Sequence, residues 1–182
     1  MEQPVPIKPA ALVKHPVLRA IDGLSTLCGW IAATFIVLSI FVTCQMIFVR
    51  FVLRQSTIWQ TEMVIYLMIA VTTIGLPYVQ RLRGHVNVDL IPSMLPIKAR
   101  RVLAYVVLIL SIALMGALTV YAFDGWHEAY SRNWKSSTVW GVRLWIPMLA
   151  LPIGFGLYTL QLIADLVALY LRLDRPFGLE EN

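Results

Sequence analysis

His85 and Asp89, in the middle of the chain, are the pair of residues whose types and spacing could do chemistry. A histidine and a carboxylate can ligate a metal ion together or act as an acid–base pair. A metal site needs at least a third protein ligand, and a catalytic base needs a group that orients it. The sequence around this pair supplies neither, so we predict no metal site and no catalytic role for it.

The chain also lacks the groups that other chemistries inside a membrane require. Asp, Glu, Lys, Arg and His are absent from the middle of every long apolar segment, whereas proton relays and charged-substrate sites depend on them. His15, His85 and His127 lie outside these segments, so the paired axial ligands of a haem are missing. There is no serine–histidine–aspartate set with a common location and no phosphate-binding glycine loop. We predict a non-enzymatic protein that binds no cofactor itself.

Two other carboxylates lie near the ends of apolar segments. Glu62 falls one turn inside the start of the second segment, where a helix N-terminus and the wet interface stabilise a carboxylate. A specific contact with a partner protein is the alternative for Glu62. Asp165 falls at the end of the fourth segment, and we expect an interfacial carboxylate there rather than a buried functional one.

Four long apolar segments must position these residues. The apolar fraction is 59%, charged residues make up 14% and the mean hydropathy is +0.74, against about 45–50% and about 25% in soluble proteins. A helix of about 20 residues crosses a hydrocarbon core of about 30 Å, and backbone that faces lipid must satisfy its own hydrogen bonds. The sequence predicts an all-α integral membrane protein with four transmembrane helices, at about 24–49, 58–79, 102–123 and 144–164.

The positive charges beside these spans predict the orientation, because Lys and Arg concentrate on the cytoplasmic side. Ten of the 15 lie at the termini and in the central loop, and five lie in the two other loops. Those five are Arg50, Arg54, Arg132, Lys135 and Arg143. We therefore predict that both termini are cytoplasmic. The net charge of +5 follows from this topology, so we expect no nucleic-acid partner.

The ends of the chain differ from the four-helix domain, which we place at residues 18–172. Residues 1–17 are rich in proline and have no apolar period, which is typical of a flexible cytoplasmic leader. Residues 173–182 form a short cytoplasmic tail. Neither segment indicates a function.

Local patterns predict how the first two helices begin and pack. Residues 57–60, Thr-Ile-Trp-Gln, match a capping box in which the Thr57 hydroxyl accepts from the backbone N–H of Gln60. The second helix should therefore start there. In the first helix Gly29 and Ala33 form a small-residue pair, which would let another helix approach closely.

Prolines mark the fourth span. Pro147 lies in its first turn, where proline is tolerated. Pro152 lies further in, followed by Gly154 and Gly156. Proline removes a backbone donor and clashes with the preceding turn, so we predict a bend near Pro152.

Aromatic residues continue the helical period of the third span beyond the membrane. Trp126, Tyr130 and Trp134 recur every four residues as one stripe, and Glu128 with Arg132 forms an i,i+4 ion pair on another face. The sequence predicts an interfacial, amphipathic extension of this helix. Two interpretations remain open for its aromatic residues: a belt at the headgroup level, or a docking face for a protein on the outer side.

Three motifs resemble the small membrane subunit of the tripartite ATP-independent periplasmic (TRAP) transporters. Residues 59–62, Trp-Gln-Thr-Glu, resemble the tryptophan-glutamate motif that opens the family's second helix. Residues 83–89, Arg-Gly-His-Val-Asn-Val-Asp, resemble its central loop, and Ile146-Pro147 with Leu151-Pro152-Ile-Gly154 resembles its fourth helix. The resemblance covers roughly residues 20–170. Family members often carry a second acid beside Glu62, where this chain has Thr61 and Met63.

The resemblance implies a place in the bacterial inner membrane and a stable heterodimer with a larger membrane subunit. That subunit carries the substrate and sodium sites, and a periplasmic binding protein transiently delivers an organic anion such as a carboxylate or sialic acid. This chain would scaffold the large subunit, within membrane lipid, and help dock the binding protein. The residues that we expect to contact partners are Glu62, His85, Asp89, Trp126, Tyr130, Arg132, Trp134, Lys135, Pro147 and Pro152.

Two other classes of protein fit four apolar spans. One is the membrane anchor of an oxidoreductase, although the histidines for a haem are missing. The other is a stand-alone small channel or transporter, although four helices without an internal repeat are few for alternating access.

Overall fold

Long helices dominate the computed structural model, which describes residues 16–82 and 96–171. The helices are α1 (Pro16–Phe51), α2 (Ile58–Arg81), α3 (Ile97–Ser131), α4 (Trp145–Met148) and α5 (Ala150–Tyr170). Four stretches are long and apolar enough to cross a membrane, namely Pro16–Phe51, Ile58–Arg81, Arg101–Ser131 and Trp145–Tyr170. The predicted all-α fold with four transmembrane helices is confirmed. The leader, the tail and the central-loop residues His85 and Asp89 lie outside the described residues.

The helix ends differ from the predicted spans in ways that the sequence explains. Helix α1 begins at Pro16, slightly before the predicted domain start, and proline is favoured at a first helical position. Helix α3 continues to Ser131, as its period predicts. The fourth span is interrupted at Leu149, between α4 and α5. Leu149 keeps helical angles, with a φ of −61° and a ψ of −27°, so the predicted bend near Pro152 stays a prediction.

The helices pack in the order α1, α2, α5, α3, with a smaller contact between α1 and α5. Between α3 and α5 the buried side chains are Ala104, Leu108, Tyr158, Leu162 and Leu169. Between α1 and α5 they are Leu18, Ala164 and Ala168. Helices α2 and α5 therefore form the central pair, with α1 packed against α2 and α3 packed against α5.

Small residues allow the closest helix contacts. A Cβ on Gly154 would lie 2.5 Å from the Thr73 carbonyl carbon and oxygen, and one on Gly29 would lie 2.5 Å from Cγ of Tyr78. The prediction that Gly29 permits close approach is confirmed. The prediction for Ala33, the other residue of the pair, is wrong. Ala33 is exposed, whereas its neighbour Ala32 is buried against α2.

Candidate docking site

The segment between α3 and α4, residues 132–144, forms a short antiparallel turn that we call the docking loop. The Ser136 N–H donates to the Val142 carbonyl at 2.8 Å, and the Leu144 N–H donates to the Trp134 carbonyl at 2.9 Å. Gly141 has a φ of +61°, a conformation that glycine adopts without steric cost. These backbone bonds fix the loop as a compact element above the helix ends.

The aromatic stripe differs from the prediction. Trp126 and Tyr130 stack with ring centroids 5.7 Å apart, and Tyr130 meets Trp145 edge-on at 5.6 Å. Helix α3 ends at Ser131, so Trp134 lies in the docking loop and Trp145 completes the stripe. The placement of Trp134 on one helical stripe is therefore wrong. Because Asn133 adopts a left-handed φ of 50°, the chain leaves the helix before Trp134, the third position of the predicted stripe.

The docking loop and the end of α3 expose several of the predicted partner-contact residues. Tyr130 is 56% exposed and Trp134 is 40% exposed. Arg132 and Lys135 are also exposed, and Arg132 forms the predicted ion pair with Glu128 at 3.1 Å. Trp126 differs from these residues, because its indole N–H donates to the Trp145 carbonyl at 3.1 Å and so joins α3 to α4.

Glu62 connects the first turns of α2 to the docking loop. Its carboxylate accepts hydrogen bonds from the hydroxyls of Ser136, Thr138 at 2.8 Å and Tyr66 at 3.1 Å. The ring of Trp59 also contacts Trp140 of the loop, with centroids 6.3 Å apart. Glu62 therefore positions the docking loop from within the chain, and a direct contact between Glu62 and a partner stays a prediction.

The predicted capping box does not form. The Thr57 hydroxyl accepts from Nη2 of Arg50 at 2.7 Å and makes no side-chain cap on α2. Gln60 is only 2% exposed, and its Oε1 has no hydrogen-bond partner among residues 16–82 and 96–171. The prediction is wrong because Thr57 has a φ of −119° and a ψ of 37°, which is not the extended backbone of a capping residue, and its hydroxyl is turned to the Arg50 guanidinium of α1.

We expect Glu62→Ala to release the docking loop while leaving the helices in place. Three hydroxyls lose their common charged acceptor, and hydrogen bonds to an ionised group are stronger than those between neutral groups. Limited proteolysis in detergent should then cut near residues 136–138 faster than in the wild type. Asp124→Ala is the matched control, since Asp124 is an exposed carboxylate of α3 that lies outside the docking loop. Equal cleavage rates in both variants would contradict this role.

A second polar cluster, which we call the inner cluster, joins α1, α2 and α5 at the opposite end of the bundle. Asp165 accepts from Nε2 of Gln80 at 2.8 Å and from Nε2 of Gln161 at 3.1 Å. The Ser25 hydroxyl donates to Gln161 Oε1 at 2.6 Å, and the Tyr158 hydroxyl donates to Gln80 Oε1 at 3.3 Å. The half-buried Asp165 is thus bound within the bundle, rather than serving only as an interfacial charge.

Arg81 extends this cluster along α1. Its guanidinium donates to the Thr26 hydroxyl, and its Nε lies 3.7 Å from a carboxylate oxygen of Asp22. We did not predict the cluster as a whole from the sequence. The feature that could have indicated the cluster is the presence of polar residues within apolar helices, such as Gln161 and Asp165, which are one turn apart.

The two prolines that we predict to contact a partner lie in the helices of the fourth span. Pro147 lies in α4 and lines an apolar cleft beside α2, and Pro152 is half-buried in α5. Neither residue belongs to the exposed part of the docking loop. Contact of either proline with a partner stays a prediction.

A protein-family comparison matches most of this architecture. The family model for the DctQ component of tripartite ATP-independent periplasmic transporters matches residues 39–172. The match takes in the last third of α1, the helices α2 to α5 and the docking loop. No curated protein matches the chain.

Proposed function

The chain belongs to the DctQ family and is thus a small-subunit component of a tripartite ATP-independent periplasmic transporter, and we propose that it acts as a static scaffold there. In this role it binds a larger membrane subunit as a stable heterodimer and presents the docking loop to a soluble substrate-binding protein. The partners carry out ion-driven uptake of an organic anion, such as a carboxylate or sialic acid. The coupling ion, which we propose is sodium, binds to the large subunit.

The distribution of polar groups along the bundle is the observation that supports this role. The charged side chains of α1, α2 and α5 lie towards the ends of the helices, as Glu62, Arg81 and Asp165 do, and these three are bonded to neighbouring elements. The middle of each span is uncharged, whereas a transport pathway for an anion needs polar groups at membrane depth. A rigid support for another subunit requires none.

We propose that the protein lies in the inner membrane with both termini in the cytoplasm, so that the docking loop is periplasmic. The distribution of Lys and Arg supports this orientation. A reporter that is active only in the cytoplasm should be active when it is fused after Asn182. The same reporter inserted next to the exposed Val139 should be inactive, and the reverse pattern would contradict the orientation.

We expect the double substitution Tyr130→Ala and Trp134→Ala to weaken docking of the binding protein. Aromatic anchors at an interface often contribute more than 1 kcal/mol each, so half-saturation should need about tenfold more binding protein. Uptake into vesicles, measured against binding-protein concentration at equal transporter content, checks this. Trp126 is left intact because it joins α3 to α4.

Tyr170→Ala is the matched control for this experiment. Tyr170 is an exposed aromatic residue at the end of α5, on the opposite side of the bundle from the docking loop. It should leave the dependence on binding protein unchanged. An unchanged dependence in the double variant as well would assign Tyr130 and Trp134 to the headgroup belt alone.

A further inference from the structure

An apolar cleft of about 370 Å³ opens beside α2. Its floor is one face of α2 from Met63 to Ile74, including Ala70. Phe35 of α1 lies on one side and Ile153 of α5 on the other, and Trp140 of the docking loop closes one end. With Pro147 of α4, the cleft is built from five separate elements and lies within the membrane-spanning part of the protein.

The cleft has the length of one membrane leaflet. Met63 and Ile74 are eleven residues apart, which is about 16 Å along a helix, and half of a hydrocarbon core is about 15 Å. The cleft begins next to Glu62, at the docking-loop end of α2, and ends about two thirds of the way along that helix. A transmembrane helix of a partner would run through both leaflets, whereas a lipid acyl chain runs through one.

The side chains of the cleft suit an acyl chain better than a helix. Helices pack in membranes where small residues let their backbones approach, as Gly154 does against Thr73 in this bundle. The cleft is lined instead mostly by bulky groups such as Phe35, Met63 and Trp140. A flexible chain can follow such an irregular apolar surface and keep its van der Waals contacts.

The docking loop, which closes one end of the cleft with Trp140, carries two exposed cations. Lys135 and Arg143 face each other across the antiparallel turn, and both are exposed. Arg143 directly follows Val142, which lines the cleft. Glu62, which precedes the cleft residue Met63, accepts from the hydroxyls of Ser136, Thr138 and Tyr66. Lys and Arg both bind phosphate, and tryptophans such as Trp140 favour the headgroup level.

We propose that this cleft binds one acyl chain of a phospholipid from the leaflet on the docking-loop side, with Lys135 and Arg143 holding its phosphate. The bound lipid packs against Trp140 and thereby supports the docking loop from below. The inference requires only that the chain spans a membrane, so it does not depend on the transported substrate or on any partner.

Ala70→Phe tests the proposal by filling the cleft. The protein, with any subunit that accompanies it, is purified in mild detergent, and the retained phospholipid is measured by native mass spectrometry. We expect the wild type to keep a phospholipid through extended washing and Ala70→Phe to keep about tenfold less. Ala117→Phe, which adds the same volume at an exposed position of α3, should retain the wild-type amount. Equal retention in all three proteins would overturn the proposal.

Two further measurements keep the proposal testable if Ala70→Phe fails to fold. The double variant Lys135→Gln and Arg143→Gln leaves the cleft open and should also lose phospholipid. A photo-crosslinking amino acid at Ile153 should form adducts with the mass of a phospholipid. Adducts with a protein subunit, or unchanged lipid retention without the two cations, would contradict the proposed occupant.

Discussion

Gly154→Ala destabilises the protein strongly, because the new methyl group meets backbone and not a movable side chain. The added Cβ would lie 2.5 Å from the carbonyl carbon and oxygen of Thr73. These atoms belong to α2, so the two central helices must separate to relieve the clash. Overpacking of this kind costs about 1–3 kcal/mol. We expect a lower yield of folded protein and a lower midpoint of thermal unfolding in detergent.

Gly116→Ala is the matched control for this substitution. Gly116 lies in α3, and a Cβ there would meet no atom within 4 Å. Since alanine is favoured over glycine in a helix by about 0.5–1 kcal/mol, this variant should be as stable as the wild type or slightly more stable. Equal unfolding midpoints for the two variants would show that α2 and α5 do not approach as closely as the structure has them.

Asp165→Ala disrupts the inner cluster that joins α1, α2 and α5. The substitution removes the acceptor for the side-chain amides of Gln80 and Gln161. A buried donor left without a partner costs about 1–3 kcal/mol, although hydrogen bonds within membranes average nearer 0.6 kcal/mol. We therefore expect a loss of about 1–2 kcal/mol in stability, measured as the unfolding midpoint and as the yield of assembled complex.

Asp124→Ala is the matched control, because it removes one negative charge as Asp165→Ala does. Asp124 is an exposed residue of α3, outside the inner cluster. Its removal should leave both the unfolding midpoint and the yield unchanged. Asp165→Asn should fall between the two alanine variants, since an asparagine keeps one acceptor oxygen. If Asp165→Ala proved as stable as Asp124→Ala, the inner cluster would not hold the three helices together.

The four helices could be predicted from sequence because their cause is local. An uncharged run of about 20 residues satisfies the requirement of a lipid core by itself. The same holds for the helical continuation of α3, where Glu128 and Arg132 are one turn apart and pair as expected. Such predictions need only the period of a helix and the identity of residues that are close together in the sequence.

The errors arise where a distant residue competes with a local pattern. The capping box of Thr57 fails because the backbone of Thr57 is not extended and its hydroxyl bonds to Arg50 of the preceding helix. The inner cluster joins Ser25 to Gln161, which are 136 positions apart in the chain. No local period can reveal such a pair. Glu62 was singled out, but its hydroxyl partners in the docking loop depend on how that loop folds back over α2.

Purification of the tagged chain from its native membrane in mild detergent tests the scaffold role most directly. The proposal predicts that a larger, multi-span membrane subunit remains bound in a one-to-one ratio and that the pair takes up substrate when its binding protein is supplied. Recovery of the chain alone, active as a transporter by itself, would contradict the scaffold role. Recovery with a haem-bearing subunit would indicate instead the membrane anchor of an oxidoreductase.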